Sequence, residues 1–312
     1  MVWDLLQAYL DGGNVLKFLK SRNKCEYMVF PNENEITNAF SVDFEDWFQC
    51  LEVIPISRWD NYEYRIEKNA HRMLDLLDEY NVRATFFILG YVAEKFPYLI
   101  KEIDRRGHVL GTHGYSHKQV YKQKPKEFAE ELKRSIDIVS ELTGQRIYGF
   151  RAPIFSIVSK SLWALDILLE QGLIYDSSIY PVLNYRYGIV SSKRFIHRLT
   201  TVSGNTIFEI PIATARYFNL NVPVGGGAYL RIIPYLITRA GLKKINHKGQ
   251  PIVFYVHPWE IDPDHPRIDL PFRISSTHYF NLKSTIKRLR KLFSDFKFAP
   301  IEKVFSKQLG LQ

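Results

Sequence analysis

Sulfur is scarce in this chain: Cys25 and Cys50 are its two cysteines, with three methionines among 312 residues. Two cysteines cannot build a disulfide framework, and they lack the paired spacing of a zinc-thiolate site, so both read as reduced thiols. Long apolar runs are missing as well. No stretch reaches the length of a membrane span. The opening MVWDLLQAYLDGGNVLKFLK is broken by Asp4, Asp11 and a glycine pair, so it lacks the apolar core of a secretion signal. The expectation is a cytoplasmic protein, with Lys17, Lys20, Arg22 and Lys24 offering a way to work beside a membrane. Clustered charge is absent too. Lys plus Arg number 42 against 33 acids, a balance of +9, but the excess is spread along the chain. No basic run with interleaved aromatics resembles a nucleic-acid module, and no nucleic-acid partner is expected.

What is present is core material and alternation. A hydrophobic fraction of 46%, with aromatics at 14%, excludes disorder. After a helical spacing in Leu5, Leu6, Tyr9, Leu16 and Leu19 and a polar PNENE linker, strand-like and helix-like segments follow one another. AFSVDF, VRATFFIL, HVLGTH, RIYGFRA and LIYDSS read as strands. KNAHRMLDLLDEY, YLIKEIDRRG, PKEFAEELKRSIDIVSELTG and SKSLWALDILLEQG read as helices. RFIHRLTTVSGNTIFEIPIA reads as an inserted hairpin turning at Gly204 and Asn205. AYLRIIPYLITRAG, PIVFYVH and YFNLKSTIKRLRKLF then supply helix, strand and a last long helix. The fold class is α/β, a parallel sheet or barrel.

In such folds the carboxyl ends of the strands face the functional side. Those ends carry Asp43, Glu45 and Asp46, then His113 and His117, Arg151, Asp176 and His257. Two imidazoles in GTHGYSH and a carboxylate of DFED from a neighbouring strand end form a donor set that a divalent ion such as zinc prefers, with a position left for water.

In order, FSVDFEDW, TFFILG, THGYSH, GFRAP, YDSSIYP and FYVHPWEID resemble the motifs of polysaccharide deacetylases with the NodB homology domain, carbohydrate esterase family 4. The likeness is closest to the branch of peptidoglycan deacetylase and allantoinase-like enzymes of exopolysaccharide gene clusters. It implies a distorted, incomplete (β/α) barrel over residues 38 to 280, between an N-terminal helical extension (1 to 37) and a C-terminal one (281 to 312). It also implies an acetylated glycan as substrate and one divalent metal, zinc before cobalt, nickel or iron, held by an Asp-His-His triad that would be Asp46, His113 and His117. Association with a membrane-bound polysaccharide synthesis machinery is a further implication.

Asp43 is then the base, with Glu45 able to replace either acid. Strand alternation puts Asp43 and Glu45 on one face and Asp46 on the other unless the strand bulges. His257 would be the general acid, Arg151 a fork holding the catalytic carboxylate, and Asp176 the residue orienting His257, with Asp262 and Glu209 as competitors. A backbone N–H near Phe155 would face the oxyanion. Gly225 to Gly227 would border the sugar groove or make a structural turn, and Tyr185, Tyr187, Tyr229 and Trp259 would stack on sugar rings. Two other readings are an allantoinase-like amidohydrolase acting on a small cyclic amide and a silent glycan-binding homologue.

Overall fold

The computed structural model describes residues 36–311. The expected N-terminal helix, its basic residues and Cys25 lie outside the described residues. From there the chain runs β1 (Thr37–Phe44), α1 (Ile66–Glu79), β2 (Thr85–Ile88), α2 (Gly90–Lys95), α3 (Pro97–Arg105), β3 (Val109–Thr112), α4 (Pro125–Thr143), β4 (Gly149–Phe150), α5 (Ala164–Glu170) and β5 (Tyr175–Asp176). β6 (His197–Thr200) and β7 (Thr206–Glu209) form the expected hairpin, and a second, shorter hairpin follows in β8 (Thr214–Tyr217) and β9 (Leu220–Pro223). The final third holds α6 (Ala228–Ile232), α7 (Tyr235–Asn246), β10 (Val253–Val256), α8 (Phe272–His278), α9 (Thr285–Asp295), β11 (Lys297–Ala299), α10 (Ile301–Val304) and α11 (Ser306–Leu309).

Period-two alternation sorts the strands into an outer and an inner face. Phe40, Val42 and Phe44 of β1, Phe86 and Ile88 of β2, and Phe254 and Val256 of β10 join the large core beneath the helices. Ala39, Phe87, Val253 and Tyr255, from the alternate positions, join Phe155, Tyr175 and Tyr180 in a second, inner core. The sheet order is β10-β1-β2-β3-β4-β5-β7-β6. Every pairing out to β7 is parallel, and only the β6–β7 hairpin is antiparallel. The span between β7 and β10 is closed by single contacts: Ala213 N–H donates to the Val253 carbonyl, and Gly226 bridges Tyr255. This is a distorted barrel with one irregular wall. No helix among the described residues is long and apolar enough to cross a membrane.

Helix limits follow local chemistry. α4 opens with Pro125 in its first turn and stops at Gly144, whose φ of 70° is left-handed. The segment read as one helix, AYLRIIPYLITRAG, is two, because Pro234 has no N–H to continue α6 and instead precedes the first turn of α7. SKSLWALDILLEQG begins as a 3-10 turn at Ser159 and becomes helical only at Ala164.

The carboxyl-terminal segment is more than a helical extension. β11 pairs with β1 in parallel beside Thr37, Asn38 and Ala39, and Ile301 and Phe305 enter the inner core. Buried Glu302 then accepts from the Thr85 and Tyr175 hydroxyls and plugs the barrel at the end opposite the strand carboxyl termini.

Asp176 and Glu209 sit side by side in the β5–β7 register, both wholly buried. Burial pushes Asp176 up to about 6, and burial together with the Asp176 charge pushes Glu209 well above the usual carboxyl range. Two adjacent buried carboxyls share a proton. Folded-state values above the unfolded ones mean that the pair's contribution is fully present below about pH 4 and is lost as pH rises through about 6. Asp176→Asn mimics the protonated partner. Between pH 5 and 8 the unfolding free energy of the wild type should fall by about 1 kcal/mol or more beyond that of the variant. Urea titrations of the two proteins that stay parallel across that range would contradict the shared proton.

Candidate active site and metal centre

The alternation that sorts β1 continues one step past its end. Asp43 and Glu45 enter the barrel mouth, and Asp46 turns out of it. Asp46 Oδ1 accepts the Trp47 N–H at 2.8 Å, and its Oδ2 accepts the Arg65 and Ile66 N–H groups at 2.7 and 2.9 Å. It therefore satisfies the orphan donors at the start of α1. Asp46 is not a companion of the two imidazoles, as the resemblance had implied. Glu45 is, on the same side as Asp43 and just past the strand end, where its N–H donates to the Asp43 carbonyl.

His113 leaves β3 with its N–H on the Ile88 carbonyl, and Gly114 (φ 74°) and His117 (φ 55°) turn the loop so that both rings face Glu45. His113 Nδ1 donates to the Arg151 carbonyl at 2.7 Å, which leaves the Nε2 lone pair for the site. Burial holds this ring far below the usual histidine range, at about 3, so it is neutral. Glu45 Oε2 lies 2.7 Å from His117 Nε2 and 3.7 Å from His113 Nε2. Ligand atoms of the three residues all lie within 4.8 Å of one another. Both Glu45 oxygens are buried without a well-formed hydrogen bond. A buried carboxylate beside imidazole lone pairs is a donor set that fits a divalent cation, and Glu45, His113 and His117 could hold one.

Asp43 stands next to this trio. Arg151, fully buried, donates one Nη1 bond to Asp43 Oδ1 at 2.7 Å and another to Ser41 Oγ at 2.8 Å. The clamp is single-pronged rather than the expected fork, because Nε and Nη2 are committed to the Ser177 carbonyl and hydroxyl. The guanidinium also lies over the Phe87 ring, 4.2 Å from its centroid.

His257 closes the far side, its Nε2 3.6 Å from Glu45 Oε1 and 3.9 Å from Asp43 Oδ2. Its orienting partner is Glu260, whose Oε1 accepts from Nδ1 at 2.7 Å. Asp176 does not reach it, being spent on Ser178 and Glu209 beneath the β4 loop. Of the competitors, Glu209 is that partner of Asp176, and Asp262 binds Arg65 and Asn69. Glu260 was legible in HPWE: a proline-led 3-10 turn puts residues three apart on one side. Glu260 is itself held by Arg231 Nε at 2.8 Å. Burial alone would lower the His257 pKa, but Glu260, Glu45 and Asp43 outweigh it and raise it to about 9.

Residues 58–168 match the polysaccharide deacetylase family model. Over that segment the chain is similar to the polysaccharide deacetylases. Residues 177–306 match a second family, described as a domain of unknown function (DUF3473), which reaches past the boundary expected at residue 280. Among curated proteins, the chain is 38% identical over 96 residues to a peptidoglycan-N-acetylglucosamine deacetylase of Bacillus cereus, covering 30% of this chain and 35% of that protein. It is 34% identical over 115 residues to a peptidoglycan deacetylase of Helicobacter pylori, covering 36% and 38%. The chain thus spans little more than a third of these relatives. In fold it is similar to a Mycobacterium smegmatis protein described as a polysaccharide deacetylase, with TM-score 0.61 and 19% identity over 91% of this chain and 94% of that one. It is similar also to PuuE allantoinase, with TM-score 0.59 and 14% identity over 90% and 93%.

The mouth of the barrel is a cleft floored by Asp43, Glu45, His113, His117 and His257 and walled by Tyr185, Tyr187, Tyr229 and Trp259. Only Tyr185 is well exposed; Trp259 is stacked between His257 and His278, and Tyr187 shares a hydrogen bond with Tyr229. The glycines of PVGGGAY serve the backbone rather than a ligand. A Cβ on Gly226 would sit 1.9 Å from the Tyr255 carbonyl oxygen. Ile154 and Phe155, at φ 53° and 51°, hold a strained corner of the cleft. The Phe155 N–H, expected to face an oxyanion, already donates to the Ala152 carbonyl.

Glu45→Ala should abolish stoichiometric binding of added zinc. Asp46→Ala should retain it and lose about 1–2 kcal/mol of stability as the α1 donors are orphaned. Metal analysis after dialysis, paired with thermal unfolding, separates the two, and zinc retained in Glu45→Ala would return the ligand role to Asp46.

Proposed function

We propose that this chain hydrolyses acetyl groups from an acetylated polysaccharide or its precursor, with N-acetyl groups as the first choice. The observation that carries this reading is the juxtaposition, within one cleft, of a clamped carboxylate, an imidazole backed by Glu260 and a buried Glu-His-His donor set. The names of the curated relatives support it. Bound to Glu45, His113 and His117, a divalent ion, zinc before cobalt, nickel or iron, would supply Lewis acidity toward a carbonyl and acidify a water.

The chain's own residues divide the proton work. Asp43, aimed by Arg151, is placed to take a proton from the attacking water. His257, charged and held by Glu260, is placed to give one to the departing amine. Glu260, itself held by Arg231, fixes the imidazole in rotation and favours its charged form, leaving Nε2 toward Glu45 and Asp43. An amine is a poor leaving group unless it is protonated, so the acid matters most for N-acetyl substrates. The allantoinase-like reading shares the fold but leaves the intact imidazole pair without a role. A silent binding module has no use for the Arg151 clamp or the His257 relay.

Acetate release from a panel of acetylated glycans, with and without added zinc, tests the assignment directly. Asp43→Asn should bind zinc normally and turn over about 10²-fold more slowly or worse; wild-type rates would move the base role elsewhere. His257→Ala should lose more activity on an N-acetyl sugar than on an activated acetate ester. Equal losses on both would remove His257 from the acid role. Glu260→Gln, which keeps the hydrogen bond and removes the charge, should fall between His257→Ala and the wild type in the same comparison.

A further inference from the structure

The rim of the cleft carries charge that nothing in the chemistry uses. Arg186 and Arg273 both line the cleft, and their guanidinium carbons lie 5.5 and 6.0 Å from the centre of the same exposed ring, Tyr185. Arg273 is exposed and has no carboxylate in ion-pair reach among the described residues. Arg186 has a buried Nε without a partner, and its Nη1 reaches Glu52 only at 3.4 Å. Glu52 also receives Lys122, at 3.1 Å. Two cations therefore share one carboxylate, and Arg273 has none. The acids of the floor do not offset them, since Asp43 is matched by Arg151 and Glu260 by Arg231, while Glu45 faces the imidazoles.

Arg273 also stands on a braced support. Arg231 Nη1 donates to the carbonyls of Thr277, His278 and Phe280, pinning the carboxyl end of α8, the helix that carries Arg273. A neutral glycan would leave the excess charge idle beside its binding rings. A carboxylate or phosphate would take the two planar donor forks.

We propose that Arg186 and Arg273 form an anion subsite at the rim of the cleft, and that the substrate is an acidic glycan bearing a carboxylate or phosphate close to the acetylated sugar. This rests on the deacetylase reading and narrows its substrate class. Three probes share N-acetylglucosamine and differ in charge: a neutral chitooligosaccharide, a hyaluronan oligosaccharide of equal length whose alternate sugars are uronates, and N-acetylglucosamine 1-phosphate. Acetate release gives KM and kcat for each, and calorimetry on Asp43→Asn gives Kd without turnover. At least one anionic probe should bind about 5- to 10-fold more tightly than the neutral one at low salt, the range of a few charge-assisted contacts, and which one does so separates carboxylate from phosphate. The margin should shrink as salt rises. Arg273→Ala and Arg186→Gln should each remove most of it while leaving kcat on the neutral probe within about twofold, because neither touches the reacting atoms. Arg273→Glu should reverse the preference. Acetate released equally from neutral and anionic probes, or a preference untouched by Arg273→Glu, overturns the subsite and leaves the deacetylase reading standing. Acetate from none of the probes counts against that reading, and the calorimetric preference then decides the subsite by itself.

Discussion

The barrel is organised around one buried cation. Arg151 has no solvent exposure and cannot shed its proton, so the interior must supply both an anion and acceptors for its N–H groups. Asp43 supplies the charge, Ser41 and Ser177 accept from the remaining donors, and the Phe87 face covers the plane. The same residue's carbonyl fixes the tautomer of His113. One side chain and its own backbone thus aim Asp43 and one imidazole together. That requires β1, β3, β4 and the loop after β5 to keep their register, and removing Asp43 altogether would leave a buried charge uncompensated.

The opposite wall repeats the logic with the sign reversed. Arg151 sets a cation beside the Asp43 carboxylate, whereas His257 has an anion beside its imidazole, which favours the ring's charged form. Glu260 is that anion, and Arg231 holds it below the ordinary carboxylate range, at about 2, against the rise that burial alone would cause. Asp43 and His257 are therefore each backed by a charged partner that reaches into the protein. The support of Asp43 comes from the strands of the first half. That of His257 comes from α6 and the turn after β10, inside the segment that matches the domain of unknown function.

Much of this was legible because strands and helices announce their periods. The alternation gave the α/β class, the hairpin turn at Gly204 and the residues at the strand ends. It also placed Asp43 and Glu45 on one face; the expectation of Asp46 as ligand came from the family's usual acidic motif and ran against that period. What could not be read was long-range. β11 is three residues long and gains strand character only by lying against β1. The Arg231–Glu260 pair joins positions 29 apart in sequence, with no local pattern to betray it. Asp176 had the right place on its strand for a site residue, but its β7 neighbour is a second carboxyl, which a reading of β5 alone does not contain.

The division between fixed and variable parts follows from the backbone. Asp43 and Glu45 stand at or just past the end of one strand, and His113 and His257 directly follow others, so their spacing is set by sheet hydrogen bonds that tolerate little displacement. Tyr185, Arg186 and Arg273 stand on a loop and on a short helix beyond the sheet, where a changed side chain alters the cleft wall without moving the floor. The Arg231 staple is the exception that ties the two together. By bonding Glu260 with one edge and the end of α8 with another, it couples the position of His257 to that of the helix that carries Arg273.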